Sequence, residues 1–525
     1  MTTQEGGKQP APNERNGDIW PLLDALSQRG IQVSCESGNL RVRGPKGSIR
    51  PDELHRLRAQ KTEILRELAD VADINRIPVR PRVPGCQVPL SVMQQFWWRG
   101  FLQRFGLTRK SRRVCTEAMR ILGPIDVGLL KECIKLSVER HESLRTTIRT
   151  INGIPTQNIS IRPKYDFELV DSSRHTGPRS EQDALSRVEE FLDETVDLCA
   201  GPLMAVRLFK ISAERYILVA ALEHIVADGV STQILKGEIW KSYGSRLRGA
   251  ASQLPSLPVQ FGDLAMWQHE IHHIWTRRHV PYWTEHLAGA PYLSIPVDQG
   301  LVEAEKPVGL VLSKKLGGTL SAGVLAQARR SQTLPSLLVL AAHVVIVSRW
   351  SKQRDTIVAL LSNGRDRPEL AGMIGYLSYY LHLRIRIEAK DRFRNLLDRV
   401  KEEYHLASEH RDFGWAPLCV PGCRETYLNV DHVFNWLPDY WSDDPCADIE
   451  GRMSVKPFPV PSKVACKFRL SFCEGSEGIE AIVQYRPDQL RSSTVESYLR
   501  SLCKVLKVLV HNPDIELTSL PVCLC

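Results

Sequence analysis

The stretch R-Y-I-L-V-A-A-L-E-H-I-V-A-D-G-V-S-T-Q-I-L-K-G-E-I-W at 215–240 decides the fold. Its first eight residues are mostly apolar, which is typical of a strand buried on both faces. Its last nine residues, 232–240, have the pattern of a helix. The turn between them carries His224 and Asp228, so the stretch predicts polar side chains that face a cleft between a buried strand and a helix.

The rest of the chain beyond residue 88 continues this pattern. Apolar, strand-like runs at 215–222, 336–350 and 356–361 alternate with helical stretches. Alternation of this kind favours the α/β or α+β class. Two lobes are expected at this length, and we place an N-lobe at 89–268 and a C-lobe at 269–525.

A small separate unit is predicted before the lobes. Residues 1–17 are polar and indicate a disordered leader. Residues 18–70 contain a helical pattern, a β-hairpin with strands at 31–35 and 39–43, and a helix that begins near Pro51. The segment 71–88 is expected to be an extended, stiff linker because prolines recur from residue 78 to residue 89.

The composition excludes several classes of protein. The chain has 525 residues, 43% apolar and 25% charged, as in globular proteins with a sizeable core. No run of about 18 apolar residues and no apolar leader occur, so neither a membrane span nor a secretory signal is expected. The net charge of +9 is modest and not clustered, so nucleic acid is not an expected partner. Thirteen cysteines without C-x-x-C pairs favour reduced thiols in the cytoplasm.

His224 is the candidate for chemistry in this stretch. An imidazole titrates near pH 6.5, so His224 could take a proton from an incoming amine or hydroxyl at neutral pH. Gly229 would let another backbone approach closely or leave an N–H unobstructed. Taken alone, H-x-x-x-D-G is more typical of a hydrogen-bonded histidine beside a turn.

The surrounding motifs resemble those of the condensation domains of nonribosomal peptide synthetases, over about residues 88–515. The family's H-H-x-x-x-D-G is E-H-I-V-A-D-G here. Its opening S-x-A-Q-x-R-L-W is S-V-M-Q-Q-F-W-W, which keeps Ser91, Gln94 and Trp98. The other matches, in chain order, are R-H-E-S-L-R-T (140–146), F-G-D-L-A-M-W (261–267), N-G-R-D-R-P-E-L (363–370), H-R-D (410–412) and V-F-N (433–435).

This resemblance implies an α/β (α+β) fold of two chloramphenicol-acetyltransferase-like lobes in a V shape, with the active site at their junction. In such enzymes a carrier protein presents an acyl group as a phosphopantetheine thioester, and a nucleophile attacks the carbonyl. The carrier protein supplies the phosphopantetheine arm, so no permanently bound cofactor and no metal are expected.

The resemblance also implies roles for individual residues. His224 matches the second histidine of the motif and would orient or deprotonate the nucleophile. Asp228 would pair with an arginine of the other lobe, for which Arg365 is the candidate. Gly229 and Ser231 would line the pantetheine path or the oxyanion position. Arg145, in R-H-E-S-L-R-T, is expected to support the site.

Several positions depart from the family pattern, among them G-W in place of P-F after H-R-D. The first histidine of the motif is Glu223 here, at a position that usually supports the loop. A carboxylate beside the base is expected to raise the pKa of His224. Met93 stands where the opening motif has alanine. These departures suggest an atypical substrate.

Residues 18–70 resemble the small docking domains of the TubC or β-hairpin type. Four basic residues and no acidic residue fall within 41–50, and they are Arg41, Arg43, Lys46 and Arg50. An exposed hairpin edge with basic side chains suits a short acidic peptide that adds a strand. The expected partner is an upstream carrier-protein subunit that ends in such a peptide. A solvated basic face is the alternative.

Three other classes of protein were weighed. H-E-I-H-H (269–273), with His279, imitates a zinc-protease helix, but Thr276 stands where the longer motif has its glycine. D-F-G-W (412–415) resembles the D-F-G-W-G of CoA-dependent acyltransferases. Some relatives have lost catalysis and serve as binding platforms.

The sequence contains no adenylation signature, no phosphate loop and no carrier serine. The chain is therefore expected to be a free-standing enzyme that receives its acyl group from another protein. This organisation is similar to that of a condensation enzyme that releases a polyketide as an ester of a small hydroxy acid. Ester-forming release onto a small free acceptor is expected, and amide formation stays open because His224 can serve either nucleophile.

Overall fold

The structure is a computed structural model. It describes residues 22, 26, 31–36, 39–43, 49–62, 64, 77–105, 110–162, 164–173, 178–251, 254–289, 291–302, 309–388, 390–410, 432–437, 451–458, 460, 467–475 and 478–522. Contacts divide the chain into two compact units, residues 1–78 with 273–278 and residues 79–272 with 279–525. The predictions for the leader (1–17), Lys46 and D-F-G-W (412–415) lie outside the described residues.

The first unit contains the predicted hairpin and the helix after it. Strands β1 (Gln32–Glu36) and β2 (Asn39–Arg43) pair antiparallel, and helix α1 spans Pro51–Ala59. The helix begins with proline, and the backbone N–H of Arg50 donates to a Glu53 carboxylate oxygen at 2.9 Å. The apolar core of this unit consists of Leu22, Leu26, Ile31, Leu57 and Ile64.

The second unit holds the remaining described strands and helices. Its first half contains β3 (Val88–Pro89), α2 (Val92–Phe105), β4 (Lys110–Leu122), α3 (Val127–Arg140), β5 (Thr146–Ile151), β6 (Ile154–Ile159), β7 (Asp166–Asp171), α4 (Pro178–Asp193), β8 (Thr195–Asp197), β9 (Met204–Ser212), β10 (Arg215–Glu223), α5 (Gly229–Leu247) and α6 (Phe261–Leu287). Its second half contains β11 (Leu310–Lys315), α7 (Gly318–Arg330), α8 (Pro335–Ser351), β12 (Asp355–Ser362), β13 (Tyr379–Arg386), α9 (Phe393–Glu409), β14 (His432–Leu437), β15 (Ser454–Pro457), β16 (Phe468–Gly475), β17 (Gly478–Tyr485) and α10 (Ser492–His511).

The N-lobe is built on a sheet with the order β15-β4-β10-β9-β7, and β8 also pairs with β4. Strand β10 is apolar from Ile217 to Leu222 because both of its faces are covered there. Leu218, Ala220 and Leu222 join the core with α3 and α5, whereas Ile217 and Val219 join the core with α4. The predicted buried strand at 215–222 is therefore confirmed.

The C-lobe is built on a second sheet, with the order β11-β17-β16-β14-β12-β13. Helix α8 packs against α7, α9 and α10. It contains the run 336–350, which was expected to be strand-like, and that expectation is wrong. The run is about three times a typical strand in length, and it follows Pro335, which occupies the first turn of a helix buried among its neighbours.

The two halves of the chain are not confined to one sheet each. Strand β15 lies in the second half of the chain but pairs with β4 in the first sheet, where Val455 is opposite Ile121. Helix α6 runs continuously through the predicted boundary at 268/269. The exact lobe boundary stays a prediction.

Among the described helices, none is by itself long and apolar enough to cross a membrane. One pair, α7 and α8, reaches the required length and composition only when its two helices are taken together, with a bend of 104° between them.

Buried histidines in the C-lobe make the stability of the fold sensitive to acid. His343 lies between Tyr498 and His432, with 2.8 Å between the Nε2 atoms of the two histidines. Burial lowers the pKa of His432 to about 3, and burial together with the charge of His286 lowers the pKa of His382 to about 3. Both rings therefore stay neutral in the folded protein at pH values where the same histidines become protonated in the unfolded chain.

We expect the free energy of unfolding to fall as the pH is lowered from 7 to 5. The folded pKa lies below the unfolded value near 6.5, so the unfolded state binds more protons, and each of His382 and His432 contributes a loss of about 2 kcal/mol at pH 5. Urea unfolding at several pH values measures this slope. His432→Gln should flatten it, and the exposed His405→Gln should not. Equal slopes in wild type and His432→Gln would contradict the assignment.

Candidate active site

In the turn after β10, the apolar side chains pack inside the N-lobe and the polar side chains cap helix α5 or lie at the surface of the turn. Ile225 and Val226 pack into an apolar cluster that includes Trp98, on helix α2. Asp228 forms the N-cap of α5, and its carboxylate accepts from the backbone N–H of Ser231 at 2.9 Å. The two apolar side chains and the cap fix the turn between strand and helix, which leaves His224 at its open side, partly exposed.

The hydrogen bonds of His224 define which ring nitrogen can act as a base. Nδ1 lies 2.8 Å from the carbonyl oxygen of Ala227. A carbonyl oxygen only accepts, so Nδ1 carries the proton and donates it, and Nε2 keeps its lone pair. The thiol of Cys115 donates to the same carbonyl at 3.4 Å.

Two aromatic rings flank the imidazole of His224. The ring of Tyr376 has its centroid 4.2 Å away, and that of Trp97 has its centroid 5.1 Å away. Burial lowers the pKa of His224 below its ordinary value, against the opposing effects of the hydrogen bond to Ala227 and the charge of Asp228. The neutral, proton-accepting form is therefore present at physiological pH.

The predicted pair of Asp228 and Arg365 is confirmed. Arg365 follows β12, in the C-lobe, and its two terminal nitrogens donate to the two Asp228 oxygens at 2.9 and 3.0 Å. The backbone N–H groups of Leu377 and Ser378 donate to the same carboxylate at 3.0 Å. The side chains are 3% and 0% exposed, so this is a fully desolvated ion pair between the lobes. Burial alone would raise the pKa of Asp228, but the charge and hydrogen bonds of Arg365 outweigh it and hold that pKa below its ordinary value.

Ser231 extends the same junction. Its hydroxyl donates to Asp228 at 2.7 Å and receives hydrogen bonds from the backbone N–H of Gly375 and from Arg365, both at 3.1 Å. The side chain is fully buried, so Ser231 does not line an open pantetheine path as expected. Gly375 has to be a glycine here, because a Cβ would fall 2.2 Å from the ring of Phe261.

Gly229 is better placed for a role beside a substrate. It opens helix α5, and no heavy atom lies within 4 Å of the position that a Cβ would take. The space next to its backbone is therefore open, as the expectation of a substrate path requires. Its role in binding stays a prediction.

The carboxylate of Glu223 lies in a pocket of hydrogen-bond donors. One carboxylate oxygen accepts from the indole N–H of Trp97 at 3.1 Å and from the hydroxyl of Ser111 at 2.8 Å. The other accepts from the backbone N–H of Ile225. The prediction that Glu223 raises the pKa of His224 is wrong, because burial dominates and lowers that pKa.

The opening motif holds the turn from helix α2. Ser91 and Gln94 form a reciprocal cap, in which each side chain accepts from the backbone N–H of the other at 3.2 and 2.9 Å. The amide of Gln94 then donates to the carbonyl of Ile225 at 2.8 Å. This hydrogen bond connects helix α2 to the turn that carries His224.

The motif R-H-E-S-L-R-T is structural in its described contacts. His141 and Arg140 both bond to Glu238, on α5, at 3.0 and 2.8 Å. The hydroxyl of Ser143 donates to the carbonyl of Ile374 in the C-lobe at 2.8 Å. The guanidinium of Arg145 donates to the carbonyl of Ser160 within the N-lobe. This contact lies within the N-lobe, and the expected support of the site by Arg145 stays a prediction.

Arg82, near the end of the proline-rich linker, forms hydrogen bonds with two motif residues. Arg82 donates to Asp263, of F-G-D-L-A-M-W, at 2.7 Å and to Glu142, of R-H-E-S-L-R-T, at 2.9 Å. Residues 77–87 form no regular helix or strand, in agreement with the predicted extended linker.

The histidines of H-E-I-H-H and His279 do not form a metal site in the described part of the chain. His269 lies 3.1 Å from the carbonyl oxygen of Leu90, and His279 contacts His410. No group of three or more His, Cys, Asp or Glu side chains is placed to hold a metal ion among the described residues.

Sequence reasoning missed Trp97 and Tyr376. The sequence could have indicated Trp97, because it follows the motif residue Gln94 by three positions on a helix and therefore lies on the same helix face. Tyr376 is brought to His224 by the docking of the two lobes, which no local pattern indicates.

Comparison with known proteins agrees with this geometry. Residues 87–522 match the condensation domain, and residues 19–70 match the TubC N-terminal docking domain. Gramicidin S synthase 2 of Brevibacillus brevis is 28% identical over 414 residues, which are 77% of this chain and 9% of that protein. The chain thus spans about a tenth of the length of the first curated relatives that it matches.

Two solved structures extend the comparison. The X-domain from teicoplanin biosynthesis has a TM-score of 0.70 at 22% identity, over 85% of this chain and 100% of that one. The condensation domain of chain release from the enacyloxin polyketide synthase has a TM-score of 0.65 at 20% identity, over 97% of both chains. The predicted similarity to that enzyme is confirmed at the level of the fold.

Two lobes of the chloramphenicol-acetyltransferase type, with His224 near their junction, define a condensation domain. The chain belongs to the condensation-domain family of nonribosomal peptide synthesis, and a TubC-type docking domain precedes its condensation domain.

Proposed function

We propose that the chain transfers an acyl group from the phosphopantetheine thioester of a carrier protein to the hydroxyl of a small free acceptor and so releases the acyl chain as an ester. The observation that supports this most strongly is His224. Its Nδ1–H is fixed on the carbonyl of Ala227, and its Nε2 is a neutral acceptor near the lobe junction.

The reaction follows from this arrangement. The acceptor O–H donates its proton to Nε2 of His224 while its oxygen attacks the thioester carbonyl. In the tetrahedral intermediate that results, the carbon–sulfur bond breaks, and the pantetheine sulfur takes the proton back from Nε2. No group other than the thioester and the acceptor is consumed, so the carrier protein's arm is the only cofactor that the step needs.

Release onto a free acceptor is supported by the extent of one comparison. The enacyloxin chain-release domain aligns over 97% of both chains, which includes the docking unit, whereas the teicoplanin X-domain aligns over 85% of this chain. A cytoplasmic location is part of the proposal. It is supported by free thiols among the described residues, such as those of Cys86, Cys115, Cys133, Cys473 and Cys503.

The experiment is intact-protein mass spectrometry of an acyl-loaded carrier domain that keeps its C-terminal tail. The carrier is incubated with the enzyme and, separately, with free alcohols, free amines and aminoacyl carriers. We expect loss of the acyl mass from the carrier with alcohols, together with the ester product. His224→Ala is the parallel control.

The other outcomes each identify a different function. Acyl loss only with amines or aminoacyl carriers would replace ester formation by amide formation. Turnover of acyl-CoA without any turnover of the carrier would assign the chain to CoA-dependent acyl transfer. Binding of the carrier without turnover of any donor would identify a binding platform.

The first unit supports a docking function for the donor. Arg41 lies exposed on β2, and Arg50 lies exposed at the start of α1. On β1 and β2, Val33, Leu40 and Val42 pack against the core of the unit. We propose that a short acidic C-terminal peptide of the upstream carrier subunit pairs with this hairpin and places its carboxylates near these arginines.

Reversing two charges tests the docking proposal. The double variant Arg41→Glu/Arg50→Glu should raise the KM for a tail-bearing donor by about ten-fold and leave kcat at saturation unchanged, because charged contacts mainly govern capture. Lys504→Glu/Lys507→Glu, on the exposed face of α10, makes the same change of net charge and is the control. An unchanged KM in the first variant, measured at low ionic strength, would contradict the proposal.

A further inference from the structure

Two departures from the family pattern are in direct contact. Glu223 stands where the family motif has its first histidine, and Trp97 stands where the opening motif has leucine. They are 126 residues apart, on β10 and α2, yet the indole N–H of Trp97 donates to Glu223 at 3.1 Å. A leucine at position 97 has no side-chain N–H, so it could not donate to Glu223 in this way.

Glu223 is a saturated acceptor in this arrangement. Its fully buried carboxylate receives the indole N–H of Trp97, the hydroxyl of Ser111 and the backbone N–H of Ile225. Burial raises the pKa of Glu223, and the hydrogen bonds from Ile225, Ser111, Trp97 and the backbone of His224 oppose that rise. Loss of the indole N–H would leave a buried oxygen with one donor fewer.

The other side of the indole faces the base. The Trp97 ring lies 5.1 Å from His224 and 6.3 Å from Tyr376, edge-on to the tyrosine. Tyr376 is itself 4.2 Å from His224, so the imidazole has an aromatic ring on two sides. The indole therefore joins the buried carboxylate to the imidazole through one rigid ring system.

We propose that Glu223 and Trp97 form a positioning pair, in which Glu223 fixes the indole by its N–H and the indole holds the His224 ring with its Nε2 toward the acyl donor. Glu223 acts through Trp97 and does not touch the substrate. The pair deepens the proposed function, since it rests on His224 as the base of that reaction.

The test uses the reactivity of His224, which requires no substrate. Diethyl pyrocarbonate acylates the neutral imidazole, and peptide mapping by mass spectrometry gives the rate for each histidine. The pH dependence of that rate reports the pKa of His224, whose ring is surrounded by the titratable and charged groups of Glu223, Asp228, Arg469, Tyr376 and Cys115. His405, exposed on α9, is the internal reference.

Removing the ring should expose the base. In Trp97→Leu we expect the modification rate of His224 at pH 7 to rise at least about three-fold and its half-titration pH to move up toward 6.5, because the ring then gains water. The rate at His405 should not change. Unchanged rate and titration of His224 in a folded Trp97→Leu protein would overturn the proposal.

A double-mutant cycle tests the dependence of one residue on the other. Trp97→Phe keeps a ring and loses the N–H, and Glu223→Gln keeps the size and loses the charge. Each should alter His224 reactivity and lower kcat with little change in donor KM, and the double variant should be no worse than the more affected single variant. Effects that multiply would show that the residues act independently and would overturn the pair.

The two proposals can fail separately. If wild-type enzyme transfers no acyl group to any acceptor, the proposed function fails. The modification rates of His224 still decide whether Glu223 and Trp97 position the ring, because those rates are measured without donor or acceptor.

Discussion

His224→Ala should lower kcat at least about 100-fold, the loss expected when a general base is removed. The hydrogen bond from Nδ1–H to the carbonyl of Ala227 fixes the tautomer of His224, so Nε2 keeps its lone pair. Among the described residues of the site, no other ring nitrogen is held in this way. The protein should stay folded, because the side chain makes one hydrogen bond and lies partly exposed. Steady-state acyl transfer, with circular dichroism of the same samples, measures both effects.

A second variant separates the base from its support of the turn. His224→Asn can still donate an N–H to the carbonyl of Ala227 but has no basic nitrogen, so it should be as inactive as His224→Ala. His405→Ala, on the exposed face of α9, should keep full activity. Full activity in either variant at position 224 would show that another group accepts the proton.

Arg365→Met should lower the apparent free energy of unfolding by about 3–5 kcal/mol, as is found when one partner of a buried ion pair is removed. The Asp228 carboxylate, 0% exposed, would keep its hydrogen bonds from Ser231, Leu377 and Ser378 but lose its only described cation. Urea unfolding followed by tryptophan fluorescence measures the change. Activity should fall as well, because the turn that carries His224 ends at this cap.

The matched comparison is an exposed ion pair. Arg500 and Glu496 are 3.4 Å apart and more than half exposed, so Arg500→Met should cost less than about 1 kcal/mol. The double variant Asp228→Asn/Arg365→Met should be less destabilised than the sum of its single variants, since it leaves no buried charge. A loss below about 1 kcal/mol in Arg365→Met would mean that the pair is not desolvated in solution.

Much of this site was predictable because its residues belong to local patterns. An apolar strand, a polar turn and a helix N-cap follow one another within 215–231, so the placement of His224 and Asp228 is determined by near neighbours. The pairing of Asp228 with Arg365 could be expected because a buried carboxylate needs a cation and the family motif offers one.

What the sequence did not reveal depends on packing between distant segments. Tyr376 reaches His224 only because the two lobes dock, and the direction of the Glu223 carboxylate is set by Ser111 and Trp97 on other elements. Membership of a motif did not indicate which group Arg145 contacts, and its described hydrogen bond is to the backbone carbonyl of Ser160. The run 336–350 was assigned to a strand by its apolar character, although its length already favoured a helix.

Strand β15 sets limits on how this enzyme can be recombined with its relatives. Met453 and Val455 are buried in the core of the N-lobe although they come from the second half of the chain. A chimera joined at residue 268 would place two foreign side chains in the core of the retained half and would also separate Asp228 from its native Arg365. Exchange of the whole condensation domain, residues 87–522, avoids both mismatches because it keeps β15 with its sheet and Asp228 with Arg365.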